Sequence, residues 1–160
     1  VEMTRTKHVG LLYKQLRKDS SKSRGGMPDY LMTFIKPGLN AAPIVHTPED
    51  FPLVQWQEWA SPVWMTVNQT RVMNVAMARE ASDERHLCPL QLDVIERALI
   101  LWSNLGDVVL SPFAGIGSEG VCALRAKRKF VGIELKESYW RQAVEYLTAA
   151  DRQGDLFVAA

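Results

Sequence analysis

The stretch Val108-Val109-Leu110-Ser111-Pro112-Phe113-Ala114-Gly115-Ile116-Gly117 constrains this chain more than any other, because a short apolar strand runs into a glycine loop and then into a helix. Gly115, Gly117 and Gly120 complete a G-x-G-x-x-G pattern in the one setting where it has physical meaning. Glycine admits positive φ and a close ligand, and a helix start presents free N–H groups. Glu134 ends the next predicted strand 17 residues beyond Gly117, where a carboxylate can accept hydrogen bonds from ribose hydroxyls. A glycine turn that merely packs helix on strand is the plainer alternative. A nicotinamide dinucleotide is disfavoured, because Ser111-Pro112-Phe113-Ala114 separates strand from first glycine and only one helix remains after Glu134.

The neighbouring segments agree with a βα alternation. Pro89 stands near the start of a predicted helix in which Leu92, Ile95, Leu99 and Trp102 recur at helical spacing, with Asn104 to Asp107 ending it. A helix through Glu119 to Arg125 follows the loop, Lys129 to Glu134 reads as a second strand, and Tyr139, Ala143, Tyr146 and Leu147 mark a final amphipathic helix. This order implies a parallel sheet with right-handed crossovers. Asp151 to Ala160 is expected to be a loosely held tail.

The first half is less regular. Residues 7–18 have helical apolar spacing with basic residues between, 19–26 read as a polar loop, and Tyr30 to Ile35 as a buried strand stopped by Pro37-Gly38. Phe51 to Trp64 holds Trp56, Trp59 and Trp64 without clear period and is assigned irregular structure; the rings could stack on bases, but closing a small core under a loop is preferred. The chain is expected to be a single domain over 1–160, divided into 1–83 (basic helix, strand and Trp-rich segment), 84–150 (βα units) and 151–160 (tail).

Net charge is only +1, but residues 1–24 hold seven Lys and Arg against two acids. Arg5, Lys7, Lys14, Arg17, Lys18, Lys22 and Arg24 are therefore candidates for contact with nucleic-acid phosphates, with a solvated helix face and tail as the plainer reading. Cys88 and Cys122 lie far apart without histidines at metal spacing, which suggests neither a disulfide framework nor a metal site. No apolar run approaches the roughly 18 residues of a membrane span. A soluble, cytoplasmic protein is expected.

The runs Val108 to Gly117, Arg128 to Leu135 and Tyr139 to Ala143 resemble the cofactor motifs of DNA adenine-N6 and cytosine-N4 methyltransferases. His86-Leu87-Cys88-Pro89-Leu90-Gln91 resembles the motif that precedes the cofactor loop in the family's permuted, so-called beta order. Met3-Thr4-Arg5-Thr6-Lys7, Gly26 to Tyr30 and Ser61-Pro62-Val63-Trp64 extend the likeness, which is closer still to phage and prophage DNA methylases, over nearly the whole chain. The resemblance implies an α/β, Rossmann-like S-adenosylmethionine-dependent fold, here a partial parallel sheet with helices on both faces. It places Phe113, Ala114, Gly115 and Gly117 beside the methionine and ribose of S-adenosylmethionine, with Pro112 in the same loop. It puts Glu134 on the ribose, Leu135 near adenine, and Leu90 and Gln91 at the methionine end. Ser111 stands where the family commonly has Asp; a hydroxyl offers the cofactor ammonium only a neutral hydrogen bond.

Enzymes of this type also need an Asp, Ser or Asn followed by Pro-Pro and an aromatic residue, to accept hydrogen bonds from the target amino group and stack on a flipped base. The sequence holds no Pro-Pro dipeptide, so its catalytic residues are unknown. Ser61-Pro62-Val63-Trp64 is read as a decoy, since Val63 lacks the backbone constraint of the second proline. In the permuted order the catalytic motif lies upstream. The chain is therefore expected to be the C-terminal portion of an enzyme that methylates DNA, with the N-terminal catalytic portion as a partner, or else a catalytically inactive remnant that binds cofactor or DNA. An incomplete sheet leaves an edge that also makes a homodimer plausible.

Overall fold

The computed structural model describes residues 2–5, 17, 27–74 and 89–156. They group into two compact units, residues Val1–Ala41 with Thr47–Val67, and Ala42–His46 with Asn68–Ala160. Most of the predicted basic helix over 7–18, the polar loop and His86-Leu87-Cys88 lie outside the described residues, as do Lys7, Lys14, Lys18, Lys22 and Arg24.

In the first unit, strands β1 (Glu2–Arg5), β2 (Met27–Tyr30) and β3 (Val63–Trp64) form a sheet of order β2-β1-β3. β1 pairs antiparallel with β2, Glu2 opposite Tyr30, and parallel with β3, Glu2 opposite Val63. Among the described strands β2 stands at the sheet edge, where a residue without an N–H such as Pro28 is tolerated. The strand expected over Tyr30 to Ile35 shares only Tyr30 with β2, and Met32, Phe34 and Ile35 are exposed. An apolar run becomes a strand only where a ladder partner accepts its backbone, and the ladder between β1 and β2 ends at Tyr30.

The Trp-rich segment is not irregular. It forms helix α1 (Leu53–Trp59), started by Pro52, whose fixed φ suits the first turn and whose carbonyl accepts the Trp56 N–H at 2.9 Å. Thr47 and Asp50 brace the approach, the Thr47 N–H donating to Asp50 Oδ1 at 2.7 Å and the Asp50 N–H to Thr47 Oγ1 at 3.3 Å. Phe51 and Trp64 are buried, the Phe51 and Trp59 ring centroids are 5.4 Å apart, and Trp64 Nε1 donates to the Trp59 carbonyl at 2.7 Å. Two of the indoles thus join a small local core, as preferred from the sequence, while Trp56 is half exposed.

The second unit holds α2 (Leu92–Trp102), β4 (Val108–Ser111), α3 (Ser118–Arg125), β5 (Lys129–Gly132) and α4 (Glu137–Leu156). β4 and β5 pair in parallel, Val108 opposite Lys129 and Ser111 opposite Gly132. Leu92, Ile95 and Leu99 of α2 pack on Cys122 and Ala123 of α3, with Val109 and Phe130 from the strands against them. α4 lies on α3 through close approaches described below. Its helical pattern continues past Tyr146 through buried Ala150, so the segment expected to be a tail is helical to Leu156.

Three devices set the geometry of this unit. A strap over residues 68–73 crosses the start of α2: the Arg71 carbonyl accepts the Leu92 N–H at 2.9 Å, and the Arg71 guanidinium bridges Asp93 at 2.6 Å and Glu96 at 2.5 Å. Burial acts to raise the Asp93 carboxyl, but hydrogen bonds from Arg71 and the Asn68 N–H outweigh it and hold the group below its ordinary range. At the other end of α2, buried Arg128 donates to Ser103 Oγ at 3.1 Å and to the Ser103 carbonyl at 2.8 Å, placing a cation at the negative end of the helix. α3 ends with the Lys127 N–H donating to Leu124 and the Arg128 N–H to Ala123, a Schellman cap in which Lys127 takes φ 58°.

Candidate functional site

The glycine loop leaves the carboxyl end of β4 beside the carboxyl end of β5, where ligands of open α/β sheets bind. Parallel pairing continues past the strands, with the Ile133 N–H donating to the Ser111 carbonyl at 2.9 Å and the Ala114 N–H to the Ile133 carbonyl at 2.8 Å. Gly115 and Gly117 take φ of 54° and 84°, left-handed values that favour glycine. Gly117 caps α3, and a Cβ there would lie 3.1 Å from the Ala143 Cβ of α4. The third glycine acts through space rather than φ, since a Cβ at Gly120 would meet Leu147 Cδ2 at 2.5 Å and Phe130 Cδ1 at 2.6 Å. Gly117 and Gly120 therefore bring α3 onto α4 and β5, while Gly115 faces open space with no atom within 4 Å of its notional Cβ.

Glu134 joins the two loops. Its Oε2 accepts the Gly115 N–H and its Oε1 accepts the Lys136 N–H, each at 2.8 Å. A carboxylate has about four acceptor positions, so two remain for a ligand. The sequence anticipated Glu134 in this place but not its bond to the loop, which no spacing rule encodes.

The remaining candidates divide by environment. Ser111, Ala114 and Gln91 are buried, Gln91 as the extended residue before α2. Leu90 is half-buried and packs against the α2–α3 core. Pro112 is exposed, and Phe113 and Leu135 project from the two loops at 87% and 97% exposure. Loop and strand end thus bring Ser111 to Gly117 together with Glu134 and Leu135. Glu119, unremarked in the sequence, sits in the first turn of α3, where burial raises its carboxyl above the ordinary range. Arg5 lies in β1 and Arg17 is exposed. Among the described residues no cluster of His, Cys, Asp or Glu could hold a metal ion, and no helix is long and apolar enough to cross a membrane.

The DNA methylase family model of the N6/N4 type matches residues 4–145. The DNA adenine methyltransferase YhdJ of Escherichia coli is 39% identical over 57 residues, 36% of this chain and 19% of its own length. A type II methyltransferase of Streptococcus pneumoniae is 38% identical over 56 residues, 35% of this chain and 21% of its own. Among solved structures, a Thermus thermophilus protein assigned as a DNA modification methylase, in complex with S-adenosyl-L-methionine, superposes with a TM-score of 0.54 at 26% identity. That superposition covers 72% of this chain and 41% of the Thermus chain. The chain spans about a fifth of the length of the curated relatives it matches. With a parallel βα core and a family model that runs over most of its residues, this α/β chain belongs to the DNA methylase family.

Proposed function

We propose that this chain is the S-adenosylmethionine-binding part of an enzyme that methylates an exocyclic amino group of adenine or cytosine in DNA. One observation carries the reading: the glycine loop at the carboxyl end of β4 is tied to Glu134 at the end of β5, with open space outside Gly115 and two acceptor positions left on the carboxylate. Glu134 would accept the ribose hydroxyls, and Leu135 and Phe113 would flank the adenine and methionine portions from their exposed positions. Gly115 and Ala114 would bound the cofactor from the loop, and Leu90 and Gln91 would stand at its methionine end. Ser111 and Pro112 set the loop's departure from the strand. When bound, the cofactor supplies an activated methyl group on a sulfonium. The basic segment, with Arg5, Lys7, Lys14, Arg17, Lys18, Lys22 and Arg24, would add salt-sensitive affinity for DNA phosphates.

None of the 160 residues forms a Pro-Pro dipeptide, which favours a second reading in which the chain binds cofactor or DNA without chemistry of its own unless a catalytic portion is supplied. Calorimetric titration separates the cofactor readings. S-adenosylmethionine and S-adenosylhomocysteine should bind and NAD should not; binding of NAD alone would sink the assignment. Robust methylation of DNA by the purified chain would show that the catalytic portion need not come from elsewhere.

A further inference from the structure

We propose that Glu134 does more than receive a ribose: by occupying the Gly115 N–H, it converts the glycine loop from an anion cradle into a site that rejects phosphate-bearing adenosine nucleotides. The inference rests on the cofactor reading above and deepens it. A glycine loop that opens a helix ordinarily offers its N–H groups and the helix's positive end to phosphate. In this loop the Ala114 N–H is held by the Ile133 carbonyl and the Gly115 N–H by Glu134 Oε2, both at 2.8 Å. The carboxylate cannot easily swing away, because its other oxygen accepts the Lys136 N–H at 2.8 Å. A ligand approaching the open side of Gly115 therefore meets a fixed negative charge and a Gly115 N–H that is already engaged.

The consequences differ by ligand chemistry. Ribose hydroxyls can donate to the unused acceptor positions of Glu134, and a sulfonium is attracted to its charge. A phosphate on the 5′ carbon finds no free Gly115 donor and is repelled. Adenosine and adenosine 5′-monophosphate differ only in that group, so the ratio of their dissociation constants isolates the effect from folding and from adenine and ribose contacts.

The test is ligand-detected nuclear magnetic resonance on the full 160-residue chain, wild type, Glu134→Gln and Glu134→Asp. Wild type should bind adenosine at least about tenfold more tightly than adenosine 5′-monophosphate, with the ratio shrinking at high salt. Glu134→Gln, which keeps one acceptor but removes the charge, should bring the ratio close to one. Glu134→Asp should weaken both ligands yet keep a high ratio. Equal wild-type affinities for the two ligands would overturn the proposal without touching the cofactor reading, and so would a Gln variant that binds adenosine with an undiminished ratio. A wild-type chain that binds neither adenosine nor S-adenosylmethionine would remove the cofactor reading itself.

Discussion

Gly120 shows how one residue can matter for what it lacks. Its missing Cβ leaves room for Leu147 Cδ2 and Phe130 Cδ1, which would otherwise be 2.5 and 2.6 Å away. Gly120→Ala should destabilise the chain by about 1–3 kcal/mol, measured by urea denaturation, because Phe130 is held in β5 and α4 must shift. Cys122 is fully buried between α2 and α3, and burial pushes its thiol up to about 12. The thiolate is the reactive form, so at pH 8 alkylation of Cys122 should be slower than that of a free thiol by two orders of magnitude or more, about 10²-fold, until denaturant is added. Peptide-resolved mass spectrometry reads this separately from Cys88. At this scale the sequence was informative about identity and poor about partners: Glu134 was legible from its spacing, but its bonds to Gly115 and Lys136 depend on two loops meeting.

The elements of the second unit were legible because burial and periodicity coincide in them. α2 shows Leu92, Ile95 and Leu99 buried at the spacing its sequence displays, and the glycine pattern stands where a strand hands over to a helix. In the first unit local rules misled. Tyr30 to Ile35 has strand composition but only Tyr30 belongs to a strand, the ladder with β1 ending there, whereas Leu53–Trp59 lacks a long apolar period and is helical because Pro52 starts it. The Schellman cap of α3 places Lys127 at φ 58°, where a Cβ is unfavourable. Lys127→Gly should therefore raise stability by about 0.5–1 kcal/mol, the relief of the left-handed conformation exceeding the added freedom of the unfolded chain. A lowered denaturation midpoint would contradict this account of the cap.

At the scale of the whole second unit, the two sides of the β4–β5 pair differ in burial among the described residues. Val109 and Phe130 face the α2–α3 core, while Val108, Leu110 and Val131, one step along each strand, are 61%, 62% and 51% exposed. Parallel sheets ordinarily bury both faces. Leu110→Thr should accordingly change the stability of this chain by less than about 0.5 kcal/mol, whereas Val109→Ala should cost about 1–3 kcal/mol, a contrast that thermal denaturation can read. The sequence by itself determined the family, the βα order and the positions of the loop and its acid, because glycine chemistry, strand composition and helical spacing are local properties written residue by residue. Only the tertiary structure decided which groups meet: that Glu134 holds the Gly115 N–H, that Gly120 makes room for Leu147, and that Val109 and Phe130 pack on α2 and α3 while Val108, Leu110 and Val131 do not, since each depends on segments brought together by packing rather than by adjacency in the chain.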